Sequence, residues 1–262
     1  MRSEREGGRP AIPAGRWWLV GAVLAAAGCA GAKDDDPPQA AKPASTVRAE
    51  SVPPAVTAGP ATGGPRVLFV GTSLTAGLGL DPDSAYPALV ARTAAAEGVP
   101  IRVTNAGLSG ETSAGALRRV DWLLREPFDV VVVESGANDG LRGVDPDSTR
   151  ANLRAVIARV RQALPAARIA LVQMEAPTNL GAAYTARFRA LYPAVAEAAG
   201  IPLLPFLLDG VAGLPQLNQP DGIHPNEAGA RRVAANVWRA LKPVVEGVEP
   251  GATGAGAAAP PR

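Results

Sequence analysis

The chain has 262 residues, a length that favours one substantial domain, and its 47% hydrophobic content is that of a globular protein. A formal net charge of +2 rests on scattered arginines such as Arg118, Arg119, Arg154 and Arg161, with no basic block interleaved with aromatics, which argues against nucleic-acid binding. One cysteine excludes an internal disulfide and a cysteine-based zinc site, and one histidine argues against a histidine-rich metal site.

The first segment reads as an export signal over residues 1–29. Arg2, Arg5, Arg9 and Arg16 precede the apolar run from Trp17 to Ala27 (WWLVGAVLAAA). That run has signal-peptide length and falls short of the about 20 residues that span a bilayer. Ala26-Ala27-Gly28-Cys29 resembles a bacterial lipobox, with Ala26 where that motif prefers Leu. Cys29 is therefore the expected lipidation site, the alternative being ordinary cleavage nearby with Cys29 incidental. Residues 30–65 form a Pro- and Ala-rich linker without large apolar residues, expected to stay disordered and to hold a domain clear of a membrane. Residues 247–262 form a low-complexity tail of the same expectation.

Between them, residues 66–246 alternate strand and helix. Strands are predicted at Arg66 to Gly71, Ile101 to Ala106, Asp129 to Ser135, Arg168 to Met174 and Leu203 to Phe206. Helices are predicted at Tyr86 to Glu97, Ser113 to Arg125, Pro146 to Leu164, Ala182 to Ala199, and from an Asn226 cap to about Leu241. The VVVV run in the third strand is that of a strand covered on both faces. This alternation implies βαβ units and a parallel sheet between helices, with ligands at the carboxyl ends of the strands.

The polar, non-helical residues gather at those ends: Gly71 to Leu74, Asn105 to Thr112, Gly136 to Gly140, and Asp221 to Pro225. A serine hydroxyl is a poor nucleophile without a base, and the sole histidine, His224, must be that base for Ser73. Asp221, three residues earlier, can fold back to orient the imidazole. The N–H groups of Ser73 and Gly107 and the amide of Asn138 suit an oxyanion. Each block also has a bland reading: Ser73 as a helix cap, His224 as a turn residue, Gly107 and Gly136 as strand terminators, and Asn138-Asp139-Gly140 as a turn.

Together the blocks GTSL at 71–74, Gly107 within NAGLSGETS, GAND at 136–139 and DGIH at 221–224 resemble the SGNH, or GDSL-type, hydrolase family. The stretches VVVESGANDGLRG, RFRALYPAVAEAAGIPLLPF and DGIHPNEAGA resemble its bacterial thioesterase, arylesterase and lysophospholipase branch. The resemblance implies a flavodoxin-like three-layer α/β/α sandwich with a five-stranded parallel sheet in the order 2-1-3-4-5. It also implies Ser73, Asp221 and His224 as catalytic triad, Ser73, Gly107 and Asn138 as oxyanion hole, and no metal or organic cofactor. Thr72 stands where that family has the Asp of GDSL, thought to brace the nucleophile turn; activity is expected to be retained.

The expected enzyme is a monomeric, exported, membrane-anchored carboxylic ester hydrolase acting on medium to long acyl chains, as esters or thioesters. Leu108, Leu141, Leu180 and the Glu175 to Thr185 loop are candidates to line an acyl groove. The alternatives are an envelope carbohydrate O-acetylesterase and a catalytically silent binding lipoprotein.

Overall fold

The computed structural model describes residues 63–248. The expected export signal, Cys29, all but the end of the linker, and the tail beyond Val248 lie outside the described residues. Strands β1 (Arg66–Gly71), β2 (Arg102–Gly107), β3 (Val130–Val133), β4 (Arg168–Val172) and β5 (Leu203–Leu204) form one parallel sheet. Their order is β2-β1-β3-β4-β5, as the resemblance implies. All four valines of β3 are fully buried because helices cover both faces of the sheet. On one side α2 (Tyr86–Ala96) packs against α7 (Glu227–Glu246). On the other, α3 (Ser113–Leu123) packs on α5 (Pro146–Ala163), and α5 on α6 (Ala182–Ala199).

Three local differences from the sequence reading have physical causes. The fifth strand stops at Leu204, since Pro205 has no N–H to continue a ladder. The last helix runs past Leu241 to Glu246 with Pro243 inside it, and burial of Val244 and Val245 rewards the extra turn. The Asn138-Asp139-Gly140 segment is not a bare turn but part of a short helix, α4 (Ala137–Arg142), and a four-residue helix, α1 (Ser73–Ala76), follows β1.

Parallel pairing puts the ends of β1 and β2 side by side, with Gly71 opposite Gly107, while Val70 lies opposite Val133 of β3. The β1–α1, β2–α3 and β3–α4 connections therefore emerge together on one edge of the sheet.

Candidate active site

Ser73 is the first residue of α1 and is nearly buried, at 8% exposure. Thr72 before it is extended, and its Oγ1 accepts the Leu74 N–H at 3.3 Å, so Thr72 rather than Ser73 is the helix cap. The Ser73 N–H has no hydrogen-bond partner among the described residues. A first-turn N–H without an intrahelical acceptor is a donor left for a ligand.

The loop before α7 carries the histidine to this point. Asn218 and Pro225 form an antiparallel bridge, and Gln219 accepts no slack: its N–H donates to the His224 carbonyl at 2.7 Å and its side chain to the Leu78 and Pro225 carbonyls. Gly222 closes the loop with φ +70, a left-handed conformation that glycine adopts without strain. The Asn226 side chain then caps α7, accepting the Ala228 and Gly229 N–H groups at 3.0 Å.

Within that loop Asp221 Oδ2 lies 2.6 Å from His224 Nδ1, and His224 Nε2 lies 2.8 Å from Ser73 Oγ. Asp221 Oδ1 accepts the backbone N–H groups of Ile223 and His224 at 2.9 and 3.0 Å. These bonds, from the His224 backbone, the His224 ring and Ile223, hold the Asp221 carboxyl down to about 2, so it stays ionised throughout the neutral range. Ser73, His224 and Asp221 are thus one continuous hydrogen-bonded chain.

The other two sequence-predicted positions are partly engaged. One amide hydrogen of Asn138 is spent on the Glu111 carbonyl at 2.9 Å, which fixes the amide and leaves its second hydrogen free of a partner among the described residues. The Gly107 N–H already donates to Asn105 Oδ1 at 2.9 Å. Asn105 also donates to the Thr75 carbonyl at 2.8 Å, tying the end of β2 to α1; the sequence reading placed Asn105 in the block but gave it no role.

Gly107 has a steric necessity as well. A Cβ there would lie 2.1 Å from Ala76 N and 2.6 Å from its Cα, so α1 can sit on β2 only where the side chain is absent. Gly107→Ala is expected to push α1 away, lowering stability by about 1–3 kcal/mol. The same shift is expected to lower kcat by about a hundredfold through displacement of Ser73. Urea denaturation and ester kinetics on the purified variant check both numbers.

A second tie was not anticipated from the sequence. Glu134, just after β3, is fully buried beneath the nucleophile turn. It accepts the Thr72 N–H at 2.8 Å, the Thr72 hydroxyl at 3.0–3.1 Å and the Thr75 hydroxyl at 2.8 Å. Thr72, expected to brace this turn without a charge of its own, does so against the carboxyl group of Glu134. Its signal was legible: a carboxylate ending the unbroken apolar run VVVV must find donors.

The apolar surroundings also differ in emphasis from the three candidate leucines. A narrow pocket beside Ser73 and His224 is walled by Leu74, Leu78, Leu80, Leu207, Leu208 and Val233, with a cavity volume of about 10 Å³. That is about the space needed to centre one water. Leu108 and Leu141 are exposed, and Leu180 is half-buried beside Gly143; none of the three walls this pocket. Part of the Glu175 to Thr185 loop borders an open groove with Gln173 and Arg189, which carries the Glu175–Arg189 ion pair and is lined by neither Ser73 nor His224.

Residues 69–232 match the GDSL-like Lipase/Acylhydrolase family. The chain is 42% identical over 180 residues to the esterase TesA of Pseudomonas aeruginosa, covering 68% of this chain and 89% of that protein. It is 38% identical to the thioesterase 1/protease 1/lysophospholipase L1 of Escherichia coli, covering 68% and 84%. Among solved structures, one of TesA superposes with a TM-score of 0.65 at 42% identity, covering 68% of this chain and 99% of the other. A psychrotrophic esterase, EstA from Pseudoalteromonas sp., inhibited by monoethylphosphonate, gives 0.65 at 32% identity, covering 69% and 98%.

Proposed function

We propose that this chain, which belongs to the GDSL-like lipase/acylhydrolase family and is a serine-type carboxylic ester hydrolase, acts on medium to long acyl chains through an acyl-enzyme on Ser73. The observation that carries this reading is the continuous chain Asp221–His224–Ser73 at 2.6 and 2.8 Å. His224 Nε2 takes the Ser73 proton as Oγ attacks the acyl carbon, and ionised Asp221 stabilises the imidazolium that forms. The carbonyl oxygen becomes an oxyanion, received by the free Ser73 N–H and the remaining Asn138 hydrogen. The Gly107 N–H joins them by shifting from Asn105 Oδ1. The C–O bond then breaks, His224 returns its proton to the leaving oxygen, and a water activated by the same imidazole releases the acid.

The narrowness of the pocket beside Ser73 bears on the substrate. Its cavity of about 10 Å³ holds no alkyl chain as it stands, and in this reading a long acyl group lies outside it, along Leu108, Leu141 and Leu180. Two of these apolar side chains, Leu108 and Leu141, are exposed and suit a lipid ester. The relatives named as esterase, thioesterase and lysophospholipase support the same class. An exported enzyme held at the envelope through Cys29 is part of this reading, consistent with such substrates.

The narrow pocket equally favours a second reading, an acetyl-specific enzyme acting on envelope carbohydrate. A p-nitrophenyl ester series of rising chain length, with a Ser73→Ala control, separates the two. The expected result is kcat/KM rising from acetate to at least octanoate. An optimum at acetate with little turnover beyond butyrate rejects the long-chain reading.

A further inference from the structure

We infer that Glu134 is a positioning residue for the nucleophile, its buried carboxylate ordering the donors of the β1–α1 turn so that Ser73 is aimed at both His224 and the substrate. This rests on the reading of Ser73 as nucleophile.

With only four residues, α1 cannot order its own first turn, where N–H groups lack intrahelical acceptors. The Leu74 N–H goes to Thr72 Oγ1 and the Thr72 N–H to Glu134 at 2.8 Å, and the Thr75 backbone also helps to hold that carboxyl ionised. The Ser73 N–H has no acceptor among the described residues and is the donor the oxyanion needs. Glu134 itself is fully buried and offers substrate nothing, so any effect on the reaction acts through this turn.

The hydroxyl protons run in one direction. Thr75 donates to Glu134 at 2.8 Å, so the Tyr86 hydroxyl, 2.9 Å from Thr75 Oγ1, donates to Thr75 in turn. Thr72 donates to Glu134 while accepting from Leu74. An ionised carboxylate accepts every one of these protons. A protonated one must itself donate, and the hydroxyl oxygens in reach already point their protons at it, so part of the network has to reverse.

Burial opposes that ionised form and pushes Glu134 up to about 7, against the hydrogen bonds from Thr72 and Thr75 that pull it down. No cation among the described residues offsets this. Tyr86 on α2 and Tyr192 on α6 are both pushed above the ordinary tyrosine range by burial, with Glu134 adding to the shift of each, and stay neutral. Asp139 on α4 acts on Tyr192 with the same sign as Glu134. Arg119 on α3 reaches the Gly71 carbonyl of the turn, but its charge is paired with Glu111. A carboxylate buried without a cationic partner is a poor device for stability, and apolar packing serves better there. Its value lies in fixing geometry, and it does so most completely above neutral pH.

Glu134→Gln keeps the shape and removes the charge. At pH 8 kcat is expected to fall about tenfold or more with KM changed less than about twofold, in keeping with a displaced reacting group. The melting temperature at pH 8 should hold or rise, and the acid limb of the pH–kcat profile should become shallower than in the wild type, one ionisation having gone. An unchanged kcat, an unchanged profile, or a kcat loss matched by a lower melting temperature overturns the inference. Should E134Q yield no folded protein, the pair Thr72→Val and Thr72→Ser decides. Val is expected to lose several-fold in kcat and Ser to regain it; equal activity of the two contradicts the inference. Fluorophosphonate labelling of the wild type at Ser73 is run alongside: failure to label rejects the nucleophile reading and this inference with it, whereas normal labelling with an unchanged E134Q overturns the inference alone.

Discussion

Ser73→Ala is expected to lower kcat for any ester substrate by about 10⁴- to 10⁶-fold, with KM little changed. The size follows from the geometry. Ser73 Oγ is the atom 2.8 Å from His224 Nε2, and no second histidine exists in the chain to activate another hydroxyl. The rest of the machinery survives the substitution. Asp221 and His224 remain locked by the loop bonds of Gln219 and by the Asp221 bonds to the Ile223 and His224 backbone. The Thr72–Glu134 brace does not involve the Ser73 side chain. Residual turnover therefore reflects water attacking an ester polarised by the oxyanion donors. Steady-state kinetics with p-nitrophenyl butyrate, and an unchanged melting temperature as control for folding, check the prediction.

Asp221→Asn should cost nearly as much, about 10³- to 10⁴-fold in kcat. An asparagine there can keep its oxygen on the Ile223 and His224 N–H groups, so the loop retains its shape. The other atom, now an amide nitrogen, faces His224 Nδ1 and can only donate. The imidazole must then carry its proton on Nε2, where it points at Ser73 Oγ and blocks acceptance of the serine proton. The pH dependence separates this from a loss of charge alone. In the wild type Asp221 titrates at about 2, below its ordinary value, so its contribution to stability is present above the ordinary carboxylate range and is lost only as pH falls toward 2. The variant should show a kcat loss that persists across the neutral range, together with a smaller loss of stability on acidification below about pH 4. Kinetics from pH 6 to 9 and thermal melts from pH 2 to 7 measure the two effects.

What was legible beforehand has a common character. Strand runs such as VVVV announce themselves through composition, and helix ends through Gly200, Pro127 and the Asn226 cap. Ser73 and His224 were found by scarcity and by their position at strand ends, and Asp221 by its spacing from His224. The strand order, by contrast, came only from the family resemblance, because nothing in a local pattern says which parallel strands are neighbours.

The rest depends on partners far apart in the chain, which no local pattern names. Glu134 and Thr72 are separated by 62 residues, and only the pairing of Val70 with Val133 brings them together. From the sequence the Gly107 N–H suits an oxyanion, but two further facts about it are not written there: the N–H is engaged by Asn105 two residues away, and the missing side chain makes room for α1. The walls of the narrow pocket come from β1–α1, from the segment after β5 and from α7, so no periodicity marks Leu207, Leu208 and Val233 as neighbours of Ser73. In sequence, leucines that wall a pocket carry the same signature as leucines of the core.

The central claim is that Ser73 is the nucleophile and that His224 activates it. Intact-mass spectrometry after treatment with a fluorophosphonate, followed by peptide mapping, measures this directly. One adduct per chain on Ser73, slowed at least a hundredfold by His224→Ala, is the predicted result. Continued ester hydrolysis without an adduct, or an adduct on another residue at an undiminished rate in the Ser73→Ala protein, would contradict it.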